Sequence, residues 1–188
     1  MSTSKELHVL FGRMNPPTAA HEALLERMID MSQGHFRIFL SNSWNLENPL
    51  TLEERTGIIN HNLPVTVDQI EGARDLFSAM DQVDAYMQEH GYEEIVLWTG
   101  TDRVPAVERV KLYPERWKFK VAGINEYERD SDVSATAVRA AVVNKDTTTY
   151  NRMSMASPYA HPGLFDTLYE RLTDGSLQSK TKASKGRI

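Results

Sequence analysis

The sequence predicts an α/β protein with a Rossmann-like, doubly wound parallel sheet and helices on both faces. Three observations carry that prediction. Apolar stretches of strand length alternate with segments of helical periodicity along most of the 188 residues. Ile95-Val96-Leu97-Trp98 is a continuous apolar run of the kind buried on both faces of a parallel sheet. Two distant segments, Gly12–His21 and Val133–Arg139, place glycine, hydroxyl, arginine and histidine at a strand exit or a helix start. Unpaired N–H groups and a partial positive charge at such a start are suited to holding phosphate. Parallel strands need right-handed crossovers, and ligands in these sheets bind beyond the carboxyl ends of the strands. The loops after Phe11 and Trp98 are therefore expected to meet above one edge of the sheet.

Leu7–Phe11 reads as the first strand. A helix follows over His21–Met31, with Ala23, Leu24, Leu25, Met28 and Ile29 at helical spacing. Phe36–Leu40 is the second strand, and a polar loop spans 41–50. Thr51 and Glu54 form a capping-box signature for a helix that runs through Ile58 and Ile59 and stops near Leu63-Pro64. Val65–Ile70 suits a short strand. Asp75–His90 reads as a helix with Leu76, Phe77, Met80, Val83, Tyr86 and Met87 on one face, closed by Gly91. Lys118–Ala122 is a weaker strand, and 125–132 a charged loop leading to a helix over Ser134–Val143. A last amphipathic helix is expected over Gly163–Leu172. Residues 1–175 read as a single domain, and 176–188 as a disordered basic tail whose partner-binding role stays open.

The chain has no cysteine, which excludes disulfides, zinc–thiolate sites and a cysteine nucleophile. Its net charge of -5 conceals an asymmetry: the tail holds four basic residues, leaving 17 basic against 26 acidic residues before it. A body that acidic disfavours a nucleic-acid backbone as the main ligand. The N-terminus carries no apolar signal core and no segment suits a membrane span, so a cytoplasmic protein without membrane partners is expected. No carboxylate cluster has metal-ligand spacing, His61, His90 and His161 are scattered, and His8 reads as a packing residue. Trp117 and most of the methionines read as core. The assembly state, including a homo-oligomer, is left open.

Four ordered elements carry a family resemblance. Gly12-Arg13-Met14-Asn15-Pro16-Pro17-Thr18-Ala19-Ala20-His21 resembles the first signature of the HxGH nucleotidylyltransferase superfamily, written G-R-F-x-P-x-H-x-G-H. Val133–Arg139 resembles its second, I-S-S-T-x-x-R. Asn48-Pro49-Leu50-Thr51-x-x-Glu54-Arg55 looks like the N-P-F-T-x-x-E-R element of nicotinamide-mononucleotide adenylyltransferases, and Gly100-Thr101-Asp102-Arg103 is similar to the superfamily's G-x-D turn. With Glu128-Arg129-Asp130 before the second signature, the set looks most like phage-encoded members, whose setting is the host cytoplasm.

The resemblance implies attack by an acceptor phosphate on the α-phosphate of a nucleoside triphosphate, with pyrophosphate expelled and no covalent intermediate. The most specific expectation is ATP and nicotinamide mononucleotide giving NAD. A cytidylyltransferase or a phosphopantetheine adenylyltransferase is the nearest enzymatic alternative, and a nucleotide-binding protein without turnover another. His21, Arg139 and Thr18 would be catalytic. His21 would donate to the α- or β-phosphate, its other reading being a capping or core histidine. Arg139 would hold the β- and γ-phosphates, or lie on a solvated helix face. Gly12, Arg13, Asn15, Gly100, Asp102, Ser134 and Thr136 would line the nucleotide. Arg13 is alternatively a surface ion pair, Asp102 a turn aspartate, and Ser134 and Thr136 helix caps. Asn42, Trp44 and Arg55 would serve the acceptor; Trp44 is alternatively a lid or packing residue, and Arg55 a partner of Glu26 or Glu54. No resident metal site is implied, and magnesium would arrive with ATP. The sequence departs from the first signature at Thr18, which replaces a histidine, and at Ala20, which replaces a glycine; these departures are what keep the non-catalytic reading open.

Overall fold

The computed structural model describes residues 5–128, 132–156 and 158–177. Strands and helices alternate as β1 (Glu6–Gly12), α1 (Ala19–Ser32), β2 (Phe36–Ser41), α2 (Leu52–Asn62), β3 (Ile70–Ala73), α3 (Leu76–His90) and β4 (Glu94–Gly100). They continue as α4 (Val104–Glu108), β5 (Lys120–Tyr127), α5 (Ala135–Val143), α6 (Thr147–Met153) and α7 (Leu164–Thr173). Two compact units result. One comprises Met1–Gly12, Leu24–Ser41 and Thr66–Arg129; the other comprises Arg13–Ala23, Asn42–Val65 and Asp130–Ile188.

The first unit holds the sheet. All pairings are parallel and the order is β3-β2-β1-β4-β5, so the direction of winding reverses between β1 and β4. This is the doubly wound α/β fold expected from the strand–helix alternation. The register pairs Leu10 with Trp98, and both strands end two residues further on, at Gly12 and Gly100. Period-2 alternation divides the strand side chains between two faces. Leu7, Val9, Phe39, Ile95 and Leu97 share a core with Ala79, Met80, Val83 and Met87 of α3. The opposite face, with Leu10, Ile38, Leu40 and Trp98, is equally buried. Burial on both faces explains why β4 reads as an unbroken apolar run. His8 lies on that second face, where its Nδ1 accepts from the Trp98 indole N–H at 2.9 Å. Burial pulls its pKa down, so it packs as a neutral ring.

Helix ends follow local chemistry. Asp75 and Ser78 form a reciprocal capping box at the start of α3, and Gly91 ends it at φ 71°, a left-handed conformation that favours glycine. Several boundaries differ from the sequence reading. Val65–Ile70 is not a strand: a 3-10 turn occupies Val67–Gln69 and β3 begins only at Ile70. β5 runs on to Tyr127, taking in the start of the expected charged loop. The short helices α4 and α6 lack the length for a periodic signal. Leu177, assigned to the tail, is buried, while 178–188 and the Arg129-Asp130 pair lie outside the described residues.

The second unit contains α2, α5, α6 and α7 with their connecting loops. Val138, Ala141 and Val142 form the buried face of α5, which packs against α6 and α7. Tyr150 meets Phe165 edge-on at 5.1 Å.

Candidate active site

The segment that leaves β1 is held by its own side chains and by distant ones, and all the contacts described next lie within the second unit. Thr18 precedes α1, and its carbonyl accepts the first helical bond from the Glu22 N–H at 3.0 Å. The His21 N–H points at the Thr18 hydroxyl (3.4 Å), while the Thr18 N–H donates to His21 Nδ1 (3.1 Å). This is a capping box with histidine in the place usually taken by glutamate. The consequence is chemical. A backbone N–H can only donate, so Nδ1 must accept, and the proton of the neutral ring sits on Nε2. His21 is therefore both the capping residue and a positioned Nε2–H donor.

Thr18 itself is fully buried, its hydroxyl 2.9 Å from the same Nδ1. Its hydroxyl is turned to the histidine it caps. The chain on either side of it is tied to the end of α6, through the Thr18–Ser154 bridge and the Met155 N–H donating to the Pro17 carbonyl at 3.1 Å. Ala20, the second departure, is buried in the first turn of α1.

Asn15, expected to line the nucleotide, is held by the backbone of Leu50. Its side chain is 2 % exposed; Nδ2 donates to the Leu50 carbonyl and Oδ1 accepts the Leu50 N–H, both at 2.8 Å. Arg55, expected at the acceptor or beside Glu26 or Glu54, is 1 % exposed and offers no surface to a substrate phosphate. Its Nε donates to the Thr51 carbonyl (3.1 Å) and one terminal nitrogen to the Arg13 carbonyl (2.6 Å). Burial lowers its pKa to about 10, which still leaves it charged at neutral pH. Between these two clamps Met14 is buried at φ 43°. A left-handed non-glycine residue costs about 1–2 kcal/mol and persists only where its surroundings over-determine it. Fixing the Arg13 carbonyl on one side and the Asn15 side chain on the other supplies that constraint.

The rest of the Asn48–Arg55 element is a brace. Asn48 donates to Asn45 Oδ1 (2.8 Å), Thr51 and Glu54 complete their capping box, and the Pro49 carbonyl accepts from Trp44 Nε1 (3.3 Å) and Arg171 (2.9 Å). Arg171 of α7, absent from the sequence reading, holds Glu54 through two bonds of 2.7 and 2.9 Å. Burial would raise the Glu54 pKa, but the hydrogen bonds from Arg171 and Thr51 and the Arg171 charge outweigh it, so the net shift is downward. A depressed carboxyl pKa contributes stability that is present above the unfolded value and lost as pH falls through the folded one. The stability difference between the wild type and Glu54→Gln should therefore be present at neutral pH and shrink as pH drops through and below the ordinary glutamate range. Urea midpoints at a series of pH values check it; a difference independent of pH would remove the ion pair from the account.

Arg139 lies in the second turn of α5. It donates to the Asn15 carbonyl (2.8 Å) and to Thr136 Oγ1 (3.0 Å), and Ser134 caps the helix by accepting the Ala137 N–H (3.1 Å). Burial, followed by the Arg13 charge, lowers the Arg139 pKa, and Glu47 partly offsets this. The Arg13 effect means that two guanidinium groups sit within each other's field. Arg13 and Thr136 are exposed, and His21, Ser134 and Arg139 are partly so. Trp44 is 56 % exposed and Asn42 is exposed, which leaves the lid and acceptor readings of Trp44 both standing.

Gly12, Gly100 and Asp102 belong to the sheet unit. Asp102 lies in a 3-10 turn (Thr101–Arg103) and pairs with Arg103 at 3.5 Å, consistent with a turn aspartate. His61 and His161, read as scattered, are in contact, with ring centroids 5.4 Å apart. Among the described residues no three histidine, aspartate or glutamate side chains gather as metal ligands, and no helix is long and apolar enough to cross a membrane.

No protein-family model matches the chain, and no curated protein matches it in sequence. Solved structures do match in fold. A provisionally assigned nicotinate-nucleotide adenylyltransferase from Vibrio parahaemolyticus superposes with a TM-score of 0.53 at 13 % identity, over 88 % of this chain and 95 % of that one. TmcAL from Thermotoga maritima, in a structure bound with alpha-thio ATP, gives 0.57 at 12 % identity, over 91 % of this chain and 56 % of TmcAL. The chain thus shares the α/β fold of both proteins.

Proposed function

We propose that the chain is a nucleotidylyltransferase that joins a nucleoside monophosphate to a phosphate-bearing acceptor, with ATP and nicotinamide mononucleotide, giving NAD, as the best-fitting pair. The observation that carries the proposal is that Arg139, within the field of the Arg13 charge, bonds the Asn15 carbonyl of the same segment whose Thr18 N–H fixes the His21 ring with its proton on Nε2. Two guanidinium groups that repel each other are stabilised when a polyphosphate lies between them. The fold shared with a nicotinate-nucleotide adenylyltransferase and with a protein seen bound to an ATP analogue supports the same reading.

In the reaction an acceptor phosphate oxygen forms a bond to the α-phosphorus, and the bond from that phosphorus to the bridging oxygen breaks. Pyrophosphate departs with the electron pair. Catalysis of this kind rests on positioning and charge neutralisation. Arg13 and Arg139 hold the departing phosphates. His21 Nε2–H donates to the oxygen on which charge accumulates. The Ser134 oxygen caps α5 while its hydroxyl hydrogen is directed by whatever anion lies at that helix start. Magnesium enters with the triphosphate, held by phosphate oxygens and water.

The test is pyrophosphate release with magnesium, comparing ATP with CTP against nicotinamide mononucleotide, nicotinate mononucleotide and phosphopantetheine. ATP-dependent release with formation of the dinucleotide supports the proposal. Silence across the panel with nucleotide binding intact would favour a protein that binds without turnover. Arg139→Ala should weaken triphosphate binding by about 10- to 100-fold, the loss of one charge-assisted contact. Binding unchanged within about twofold would take Arg139 out of the site.

A further inference from the structure

The sheet unit has a concave surface of its own that involves none of these residues. Arg103–Lys120 contains six basic and two acidic residues in a chain of net charge -5. Some of that charge is neutralised locally, as in the Arg116–Asp81 pair at 2.8 Å. Three of the others, Lys111, Lys118 and Lys120, help to line a cavity of about 360 Å³ together with Tyr113, Trp117 and Phe119, and no carboxylate residue is among its lining. Its walls are fixed. Trp117 Nε1 donates to Asp81 (2.8 Å), and the indole lies nearly parallel to Phe119 at 5.6 Å. The Lys118 N–H donates to Asp84 and its ammonium to Gln88, each at 2.7 Å. Tyr113 stands edge-on to Phe77 at 5.3 Å and is 45 % exposed, and Lys111 and Lys120 are exposed at the rim.

Three lysines beside an aromatic wall select a ligand that is both anionic and planar. Charge alone would hold inorganic phosphate, and rings alone would hold an uncharged heterocycle. The volume lies at the lower end of small-molecule pockets, suited to one nucleotide rather than a wrapped chain. We propose that this groove binds a free nucleoside monophosphate, its base against Tyr113 and Phe119 and its phosphate on Lys111, Lys118 and Lys120. The chain then has two nucleotide sites of different construction, one in each unit.

The test is calorimetric titration of the full chain with AMP at low salt, read as the change between the wild type and lysine variants that leave the second unit untouched. Glutamine replaces Lys111 and Lys120, because a carboxylate at 120 would face Glu94 across the β4–β5 pair. The wild-type protein should show an AMP site that weakens with added salt. Adding Lys111→Gln and Lys120→Gln should lower its affinity at least about tenfold, and Lys111→Arg with Lys120→Arg should restore it. Circular dichroism on each variant secures the fold. AMP affinity unchanged within about twofold by the double glutamine change would overturn the proposal. So would phosphate alone binding as tightly as AMP, or a thymidine oligonucleotide binding about tenfold tighter through the same lysines. Failure of the pyrophosphate assay leaves this readout untouched.

Discussion

His21→Ala should lower the rate of pyrophosphate release by about two to three orders of magnitude while triphosphate binding changes little. The split follows from geometry. The Nδ1 side of the ring is committed to the Thr18 N–H, so the only group the ring can offer to a departing oxygen is Nε2–H. A donor whose bond strengthens as charge develops acts on kcat rather than on ground-state affinity. His21→Asn is the informative companion: it can still cap the Thr18 N–H but has no group at the position of Nε2, so it should retain stability and lose rate. Single-turnover kinetics beside a nucleotide-binding titration make the measurement. A His21→Ala protein within about threefold of wild-type kcat would show that the ring is only a cap.

Asn15→Ala should cost about 2–5 kcal/mol of stability, a fall of roughly 5–15 °C in Tm for a chain of this size. The side chain satisfies both the N–H and the carbonyl of Leu50, a residue with no exposed surface. Removing it orphans a buried donor and a buried acceptor at once, and water has no ready access to replace it. A function-specific effect should accompany the loss. The Asn15 carbonyl receives Arg139, and Met14 beside it is held at a positive φ, so relaxing the segment should also weaken triphosphate binding. Asn15→Asp separates the two: a carboxylate keeps the acceptor for the Leu50 N–H, leaves the Leu50 carbonyl without a donor, and should fall between wild type and alanine in Tm. Thermal scans and a binding titration on the same samples are sufficient. An alanine variant with an unchanged Tm would show that Leu50 finds other partners.

What the sequence disclosed and what it concealed divide along chain separation. Capping at Thr51–Glu54, the closure of α3 at Gly91 and the apolar run of β4 are decided by residues within a few positions of one another, and the sequence reading places all three. The 3-10 turn before β3 was missed because Val65 and Val67 have strand composition without strand partners. At the candidate site the residue types were legible and their occupations were not. Asn15, Thr18 and Arg55 sit in motif positions that suggest ligand contact, yet each is buried and turned toward the protein's own backbone. Nothing local distinguishes an arginine aimed at a phosphate from one aimed at the carbonyl of Arg13. Arg171 was invisible for a stronger reason: its partners lie more than a hundred residues away, and an ordinary amphipathic helix carries no mark of them. Met14 has a left-handed backbone that its side chain does nothing to advertise.

The separation of those partners has a consequence for how the protein is made. Asn15 and Arg139 are 124 positions apart, Pro49 and Arg171 are 122, and Glu54 and Arg171 are 117. Synthesis proceeds at about 5–20 residues per second, so the N-terminal halves of these contacts emerge several seconds before their partners exist. Closing loops of that length is entropically costly until packing rewards it, and such contacts form late. While the chain is still on the ribosome, strands β1 to β4 can pair, but the segment after β1 lacks Arg139 and the Asn48–Arg55 element lacks Arg171. Ligand-binding competence should therefore be among the last properties a nascent chain acquires, arriving with α7.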